Sequence, residues 1–243
     1  MPETYFAGCW LPVLQHAIEQ MDQHYLAQLH TNTHWLPGKS CLFNAFRQPL
    51  THTRYILFGE SPYPRAQSAN GYAFWDSAVQ ELWSPTGLAK PINRATSLRH
   101  FIKMLLIAEH GSSFRADQPA IAQLSKTAYV TRLDELFTNL LAEGFLLLNA
   151  SLVLSDQPVR YDATQWRPFI QSILTQLVDH TSQPITLILW GKLAQWVDQI
   201  APKTFPRLIS EHPYNVSFIH HQAMLDFFRP LQLLQRERRR PML

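Results

Sequence analysis

Hydrophobic positions along this chain follow two alternating patterns. Short apolar runs end abruptly at a small or polar residue. Tyr55-Ile-Leu-Phe58 stops at Gly59, Phe145-Leu-Leu-Leu148 at Asn149, and Ile185-Thr-Leu-Ile-Leu-Trp190 at Gly191, while Phe205-Pro-Arg-Leu-Ile209 leads into Ser210-Glu-His-Pro. Runs of this length are too brief for stable helices but suffice for buried strands. Between them apolar residues recur at helical spacing. Ile18, Met21, Tyr25, Leu26 and Leu29 predict one amphipathic helix within residues 11–30, and Leu98, Phe101, Ile102, Leu105 and Leu106 a helix beginning at Ser97. Residues 134–141, 166–178, 194–200 and 224–234 read as further helices, and 83–93, with Pro85, Gly87 and Pro91, as a loop. Four strands separated by helices imply a parallel sheet.

The expected architecture is therefore α/β: a three-layer α/β/α sandwich around a four-stranded parallel sheet. It forms one domain over residues 1–243, with a helical N-terminal extension (1–35) and a basic C-terminal tail (236–243). In open α/β sheets ligands bind outside the carboxyl ends of the strands. That edge would gather Ser61, Asn149 and His212. Gly59 closes the first strand, and Pro62 and Pro64 stop either helix or sheet from continuing, leaving a stiff loop.

Composition narrows the field. The 243 residues are 46% hydrophobic and 16% charged, enough for a sizeable core. A net charge of +3 permits an anionic partner without requiring one. Two cysteines, Cys9 and Cys41, do not suggest a disulfide framework and suit a reducing, cytoplasmic setting. No apolar run approaches the length of a membrane span, and the start Met1-Pro-Glu-Thr lacks the basic and apolar blocks of a secretory signal. Arg236 and Arg238-Arg-Arg240 form a terminal charge run, which reads as a solvated helix end with nucleic-acid contact as the alternative.

Candidate chemistry is weighed by elimination. No metal site is expected: there is no Cys-x-x-Cys, and the adjacent His220 and His221 point in different directions on either a helix or a strand. Gly59-Glu-Ser61 half-matches the nucleophile elbow of serine hydrolases, with His212 downstream. Such an elbow uses the backbone N–H after the nucleophile as an oxyanion donor, and Pro62 has none.

A different set of motifs appears in order from about residue 36 to 235. Gly59-Glu-Ser-Pro-Tyr-Pro64 is followed by Gly71-Tyr-Ala-Phe74, Leu146-Leu-Leu-Asn-Ala-Ser-Leu152, Trp190-Gly-Lys-Leu-Ala-Gln195 and His212-Pro-Tyr-Asn-Val-Ser217. This series, with Leu42-Phe-Asn-Ala-Phe46 ahead of it, resembles the classical uracil-removing branch of the uracil-DNA glycosylase family. The resemblance implies a cofactor-free, monomeric enzyme of base excision repair that flips uracil out of single- or double-stranded DNA. Phe74 would stack on the flipped base and Asn149 would read its edge. Gly59 and Tyr63 would complete the pocket, with Tyr63 excluding the thymine methyl. His212 would hydrogen-bond uracil O2. Pro62, Lys90, Pro91 and Ser151 would contact DNA, as would Lys192, Pro213 and Ser217, and Val216 would stand where the family wedges a leucine into the vacated stack.

The largest departure is Ser61, which stands where the family places a catalytic Asp. A neutral hydroxyl can orient water but cannot supply that charge, so activity is expected to fall. Glu60 and Asp76 are the nearby acids. Pro64 resembles the poxvirus member of the family, which also serves as a replication-complex component. A glycosylase-fold protein that binds DNA with little or no catalysis is accordingly the alternative.

Overall fold

The computed structural model describes residues 7–32, 34–180 and 183–237. The chain divides into two compact units, one of residues Met1–Ala78 and Gly144–Arg207, the other of Val79–Glu143 and Leu208–Leu243.

The first unit holds the centre of the sheet. Strand β1 (Tyr55–Gly59) lies between β4 (Phe145–Asn149) and β5 (Thr186–Trp190), and both pairings are parallel. Side chains alternate across the sheet. Ile56, Phe58, Leu146, Leu148, Leu187 and Leu189 join one core cluster with Leu14 of α1 (Leu11–Glu19) and with Phe169 and Ile173 of α7 (Val159–His180). Their alternates Leu57, Leu147 and Ile188 are buried too. Burial on both faces explains why these strands read as unbroken apolar runs rather than as alternating ones. Beyond β5, α8 spans Leu193–Asp198.

The helix expected within residues 11–30 is two. Helix α1 ends at Glu19, and α2 (Gln23–Thr31) starts afresh at Asp22, whose carboxylate accepts the Tyr25 N–H at 2.9 Å. Asp at this position caps the orphan N–H groups of a new helix. Helix α7 begins seven residues earlier than the apolar spacing suggests. Its first turn is polar because Asp162 faces inward, fully buried. The carboxylate accepts from Tyr25 Oη at 2.8 Å, Ser155 N at 2.8 Å and Ser155 Oγ at 2.9 Å, and Trp166 Nε1 donates to Tyr25 Oη at 3.1 Å. Burial, and then Asp162, hold the Tyr25 hydroxyl in its protonated, donating form.

The second unit contains a two-stranded hairpin, β2 (Trp83–Ser84) with β3 (Gly87–Leu88), then α3 (Lys90–Arg94), α4 (Thr96–His110), α5 (Gln118–Gln123), α6 (Leu133–Ala142) and α9 (Gln222–Phe228). The expected loop over 83–93 is thus a hairpin and a helical turn. Pro85 sits in the hairpin turn, and Pro91 occupies the first turn of α3, where a missing N–H costs nothing. Strand β6 (Arg207–Ser210) begins where the chain passes from the first unit to the second and completes the sheet order β4-β1-β5-β6. It starts later than the run from Phe205 suggests. Pro206 has no N–H to pair, although its carbonyl accepts from Leu187 N at 2.9 Å. The closing helix stops at Phe228, and a 3-10 turn over Arg229–Leu231 follows around Pro230. The basic run Arg238-Arg-Arg240 lies outside the described residues.

The Asp162 cluster ties α2 to α7. Asp162→Ala is expected to strand the buried donors of Tyr25 and Ser155 and cost roughly 3 kcal/mol. At about 2–4 °C per kcal/mol for a chain of this size, thermal unfolding should fall by several degrees. A melting curve superimposable on wild type would refute that role.

Candidate active site

The site begins with two strands that end together. Gly59 is the register partner of Asn149, and pairing runs on past both strand ends: Ala150 N donates to Gly59 O at 2.8 Å and Ser151 N to Glu60 O at 3.0 Å. Gly59 is required here for space. A Cβ on it would collide with Asn149 Oδ1 and with the Ala73 side chain. Asn149 is only 4% exposed, and its amide has no hydrogen-bond partner among the described residues. A carboxamide offers one acceptor and two donors. A ligand of matching pattern can engage all three.

Two loop segments stand beside it. Ala73 N donates to Leu147 O at 3.1 Å, fixing the second segment against β4. Gly71 supports its bend at φ 85°, where a Cβ would strike Cys41 O. Phe74 follows at φ 62°. For a bulky aromatic residue this left-handed backbone is an outlier that costs on the order of 1–3 kcal/mol. Its ring packs edge-on against Trp190 at the end of β5, with centroids 4.8 Å apart and planes at 64°. Tyr63 Oη donates to Phe74 O at 3.1 Å. Burial first, and then the Asp76 charge, push the Tyr63 hydroxyl well above the usual phenol value, so it remains a donor. Ser61 is half-buried, Pro62 buried and Glu60 exposed. Asp76 is 3% exposed and takes a 3.0 Å ion pair from Arg65 Nη2 and the Ala78 N–H at 2.9 Å.

The first unit thus brings together Gly59, Glu60, Ser61, Pro62, Tyr63, Phe74 and Asn149. Lys192 is exposed at the start of α8. Ser151 is fully buried and its hydroxyl donates to Val153 O at 2.6 Å, which leaves this side chain no surface to offer DNA.

The second unit carries the rest. Lys90 and Pro91 are exposed on the first turn of α3. In the loop after β6, His212 Nδ1 accepts the Tyr214 N–H at 3.0 Å and His212 O accepts the Asn215 N–H at 2.9 Å. With Nδ1 engaged as an acceptor, the neutral ring carries its proton on Nε2, as a donor. Pro213 is buried, and its carbonyl accepts from Nδ1 of His100, which is 7% exposed. Burial lowers the His100 pKa, keeping that ring neutral. Val216 and Tyr214 are exposed at 67% and 68%, and Ser217 is exposed beside them. His100, Tyr214 and Trp190 were not singled out from sequence as site residues, and the pairing of Arg65 with Asp76 was not foreseen. Only Tyr214 carried a local signal, as an aromatic residue in a polar turn. Among the described residues no group of His, Cys, Asp and Glu could hold a metal ion, and no helix is long and apolar enough to cross a membrane.

No protein-family model matches the chain. Curated uracil-DNA glycosylases do. That of Corynebacterium efficiens is 25% identical over 214 residues, 86% of this chain and 76% of its own, and that of Streptococcus mutans 24% identical over 220 residues, 89% and 80%. The solved UNG structure from Nitratifractor salsuginis is 38% identical, covers 96% of this chain and 94% of its own, and superposes with a TM-score of 0.89. The chain belongs to the uracil-DNA glycosylase family. Mimivirus uracil-DNA glycosylase, 16% identical with a TM-score of 0.57 over 86% of this chain and 69% of its own, shares the fold. Membership gives the glycosylase fold and the ordered motifs one explanation.

Gly59→Ala tests the close approach of β1 to Asn149. The added methyl is expected to displace the Asn149 amide and, as overpacking, to cost about 1–3 kcal/mol. A variant structure with Asn149 Oδ1 unmoved and unchanged thermal stability would contradict this.

Proposed function

We propose that this chain hydrolyses the N-glycosidic bond of uracil in DNA. The observation that carries the reading is the buried, unpartnered Asn149 amide beside the strained, ring-bearing Phe74. A base inside a duplex is out of reach, so the nucleotide must be flipped from the stack. Phe74 then supplies the stacking face. Asn149 accepts from uracil N3–H and donates to O4. Cytosine reverses that pattern and leaves buried groups unpaired, a strong basis for rejection. Tyr63 fills the space at C5.

As the C1′–N1 bond breaks, its electron pair leaves with the base and charge grows on O2. The Nε2–H of His212 is the donor suited to that charge, acting only as it develops. Water adds its oxygen to C1′, and the proton it loses ends on the departed uracil anion, giving neutral uracil and an abasic sugar. Ser61 can orient this water but cannot stabilise the cationic sugar. Loss of one preorganised stabiliser costs on the order of 10²–10³ in rate. Glu60, exposed one residue before it, is the acid available on that loop. DNA is held by Lys90, Pro91 and Lys192, with Val216 and Ser217 on the loop after His212; Pro62 and Pro213, both buried, stiffen their loops instead. The chain acts without a cofactor and as a monomer.

A second reading is favoured by Ser61 itself: the same pocket could bind uracil-bearing DNA with little turnover. Release of uracil from a single-stranded oligonucleotide and from an adenine-paired duplex separates the two. If wild type releases none while still binding DNA, the enzyme reading is withdrawn.

Two substitutions sharpen the assignment. Asn149→Asp should put an acceptor opposite uracil O4 and weaken uracil recognition; indifference of both binding and excision would refute the pocket. Ser61→Asp should restore negative charge beneath the sugar and raise turnover by about tenfold, corresponding to about 1.4 kcal/mol of transition-state stabilisation. Glu60→Gln should leave activity unaltered unless Glu60 has taken the acid's place. A large loss there, with no gain from Ser61→Asp, would assign the charge to Glu60.

A further inference from the structure

Phe74 holds a backbone conformation that its own side chain disfavours, so its surroundings must impose it. The tether before it is Ala73 N to Leu147 O at 3.1 Å, and the one at it is Tyr63 Oη to Phe74 O at 3.1 Å. After it stands Asp76. One carboxylate oxygen accepts the Ala78 N–H at 2.9 Å and the other the Arg65 guanidinium at 3.0 Å. Tyr63 and Arg65 lie on the loop after β1; Phe74 and Asp76 lie on the segment fixed to β4.

We infer that Arg65 and Asp76 are positioning residues: their ion pair, together with the Tyr63 hydroxyl, clasps the two loop segments and holds Phe74 with its ring presented for stacking. The assignment rests on the reading of Phe74 as the stacking face.

Burial distinguishes this pair from an ordinary surface bridge. The Arg65 side chain is 57% exposed but that of Asp76 is 4% exposed. Exposed pairs contribute little, whereas removing the partner of a buried carboxylate leaves an uncompensated charge that the local structure must move to hydrate. The segment able to move is the one that carries Phe74. Asp76 also acts on the second tether. Burial, and then its charge, raise the pKa of the Tyr63 hydroxyl, which donates to Phe74 O as the neutral phenol. Committed to Arg65 and Ala78, Asp76 is not the acid that replaces the family's Asp at Ser61.

The experiment uses the full chain and a single-stranded oligonucleotide bearing one uracil. The variants are Asp76→Asn, Arg65→Met, Arg65→Lys and Tyr63→Phe, and the readouts are kcat, KM, the salt dependence of KM and inhibition by free uracil. Asp76→Asn and Arg65→Met are expected to lower kcat about tenfold and to weaken inhibition by uracil, a ligand too small to reach a phosphate contact. Their salt slopes should match wild type, and Arg65→Lys should recover a large part of the loss. Tyr63→Phe should shift in the same direction. If wild type excises uracil and both Asp76→Asn and Arg65→Met keep its kcat and uracil inhibition, the clasp is refuted. If Arg65→Met alone acts, through KM and with a shallower salt slope, Arg65 is a phosphate contact and the clasp is again refuted. If wild type itself releases no uracil, the glycosylase reading fails and the positioning role falls with it. Should Asp76→Asn not fold, Arg65→Met and Tyr63→Phe decide.

Discussion

The candidate site depends on β1 and β4 ending at the same level. Parallel pairing sets Gly59 against Asn149, and two further backbone hydrogen bonds carry the pairing into the loops beyond. That single registration brings a buried amide, a stiff proline-bounded loop and the tethered Phe74 segment to one place. A slip of one residue would turn Asn149 to the other face of the sheet. It would also replace Gly59 with a residue whose Cβ cannot lie against the amide. Position at this edge is therefore set by the most buried backbone in the first unit, and the loops inherit that precision.

Much of this was legible in the sequence because burial writes itself as apolar runs. Four strands in a parallel sheet and the residues at their carboxyl ends could be read from where such runs stop, but not the order of the strands. The errors fall where polar residues do structural work. Asp22 divides what apolar spacing presents as one helix, and Asp162 hides the first turns of α7 because a buried acid looks like a surface one. Prolines misled in the other direction. Pro85 and Pro91 mark a turn and a helix start rather than a featureless loop. Ser151 lies in a motif of the family, but its hydroxyl is taken by Val153.

Side-chain roles that depend on partners far apart in sequence were the least visible. Nothing local in sequence assigns His100 to the Pro213 carbonyl or shows that the His212 ring accepts at Nδ1. The second of these bonds matters to the chemistry because it fixes the tautomer of the neutral His212 ring, with the proton on Nε2. Ser61, by contrast, is plain in the sequence, whereas the commitment of the nearby Asp76 carboxylate to Arg65 is not.

The backbone at Phe74 also bears on how this chain can drift. Glycine is the residue that would occupy φ 62° without strain, and glycine is also the residue that deletes the ring. At this position an unstrained backbone and a ring able to stack therefore lie in opposite directions. Phe74→Gly would relieve the backbone and give up the ring contact with Trp190, while leaving the register of β1 and β4 as it is. On the proposed reading of the pocket, an aromatic residue held at a left-handed position is strain kept for the sake of the ring.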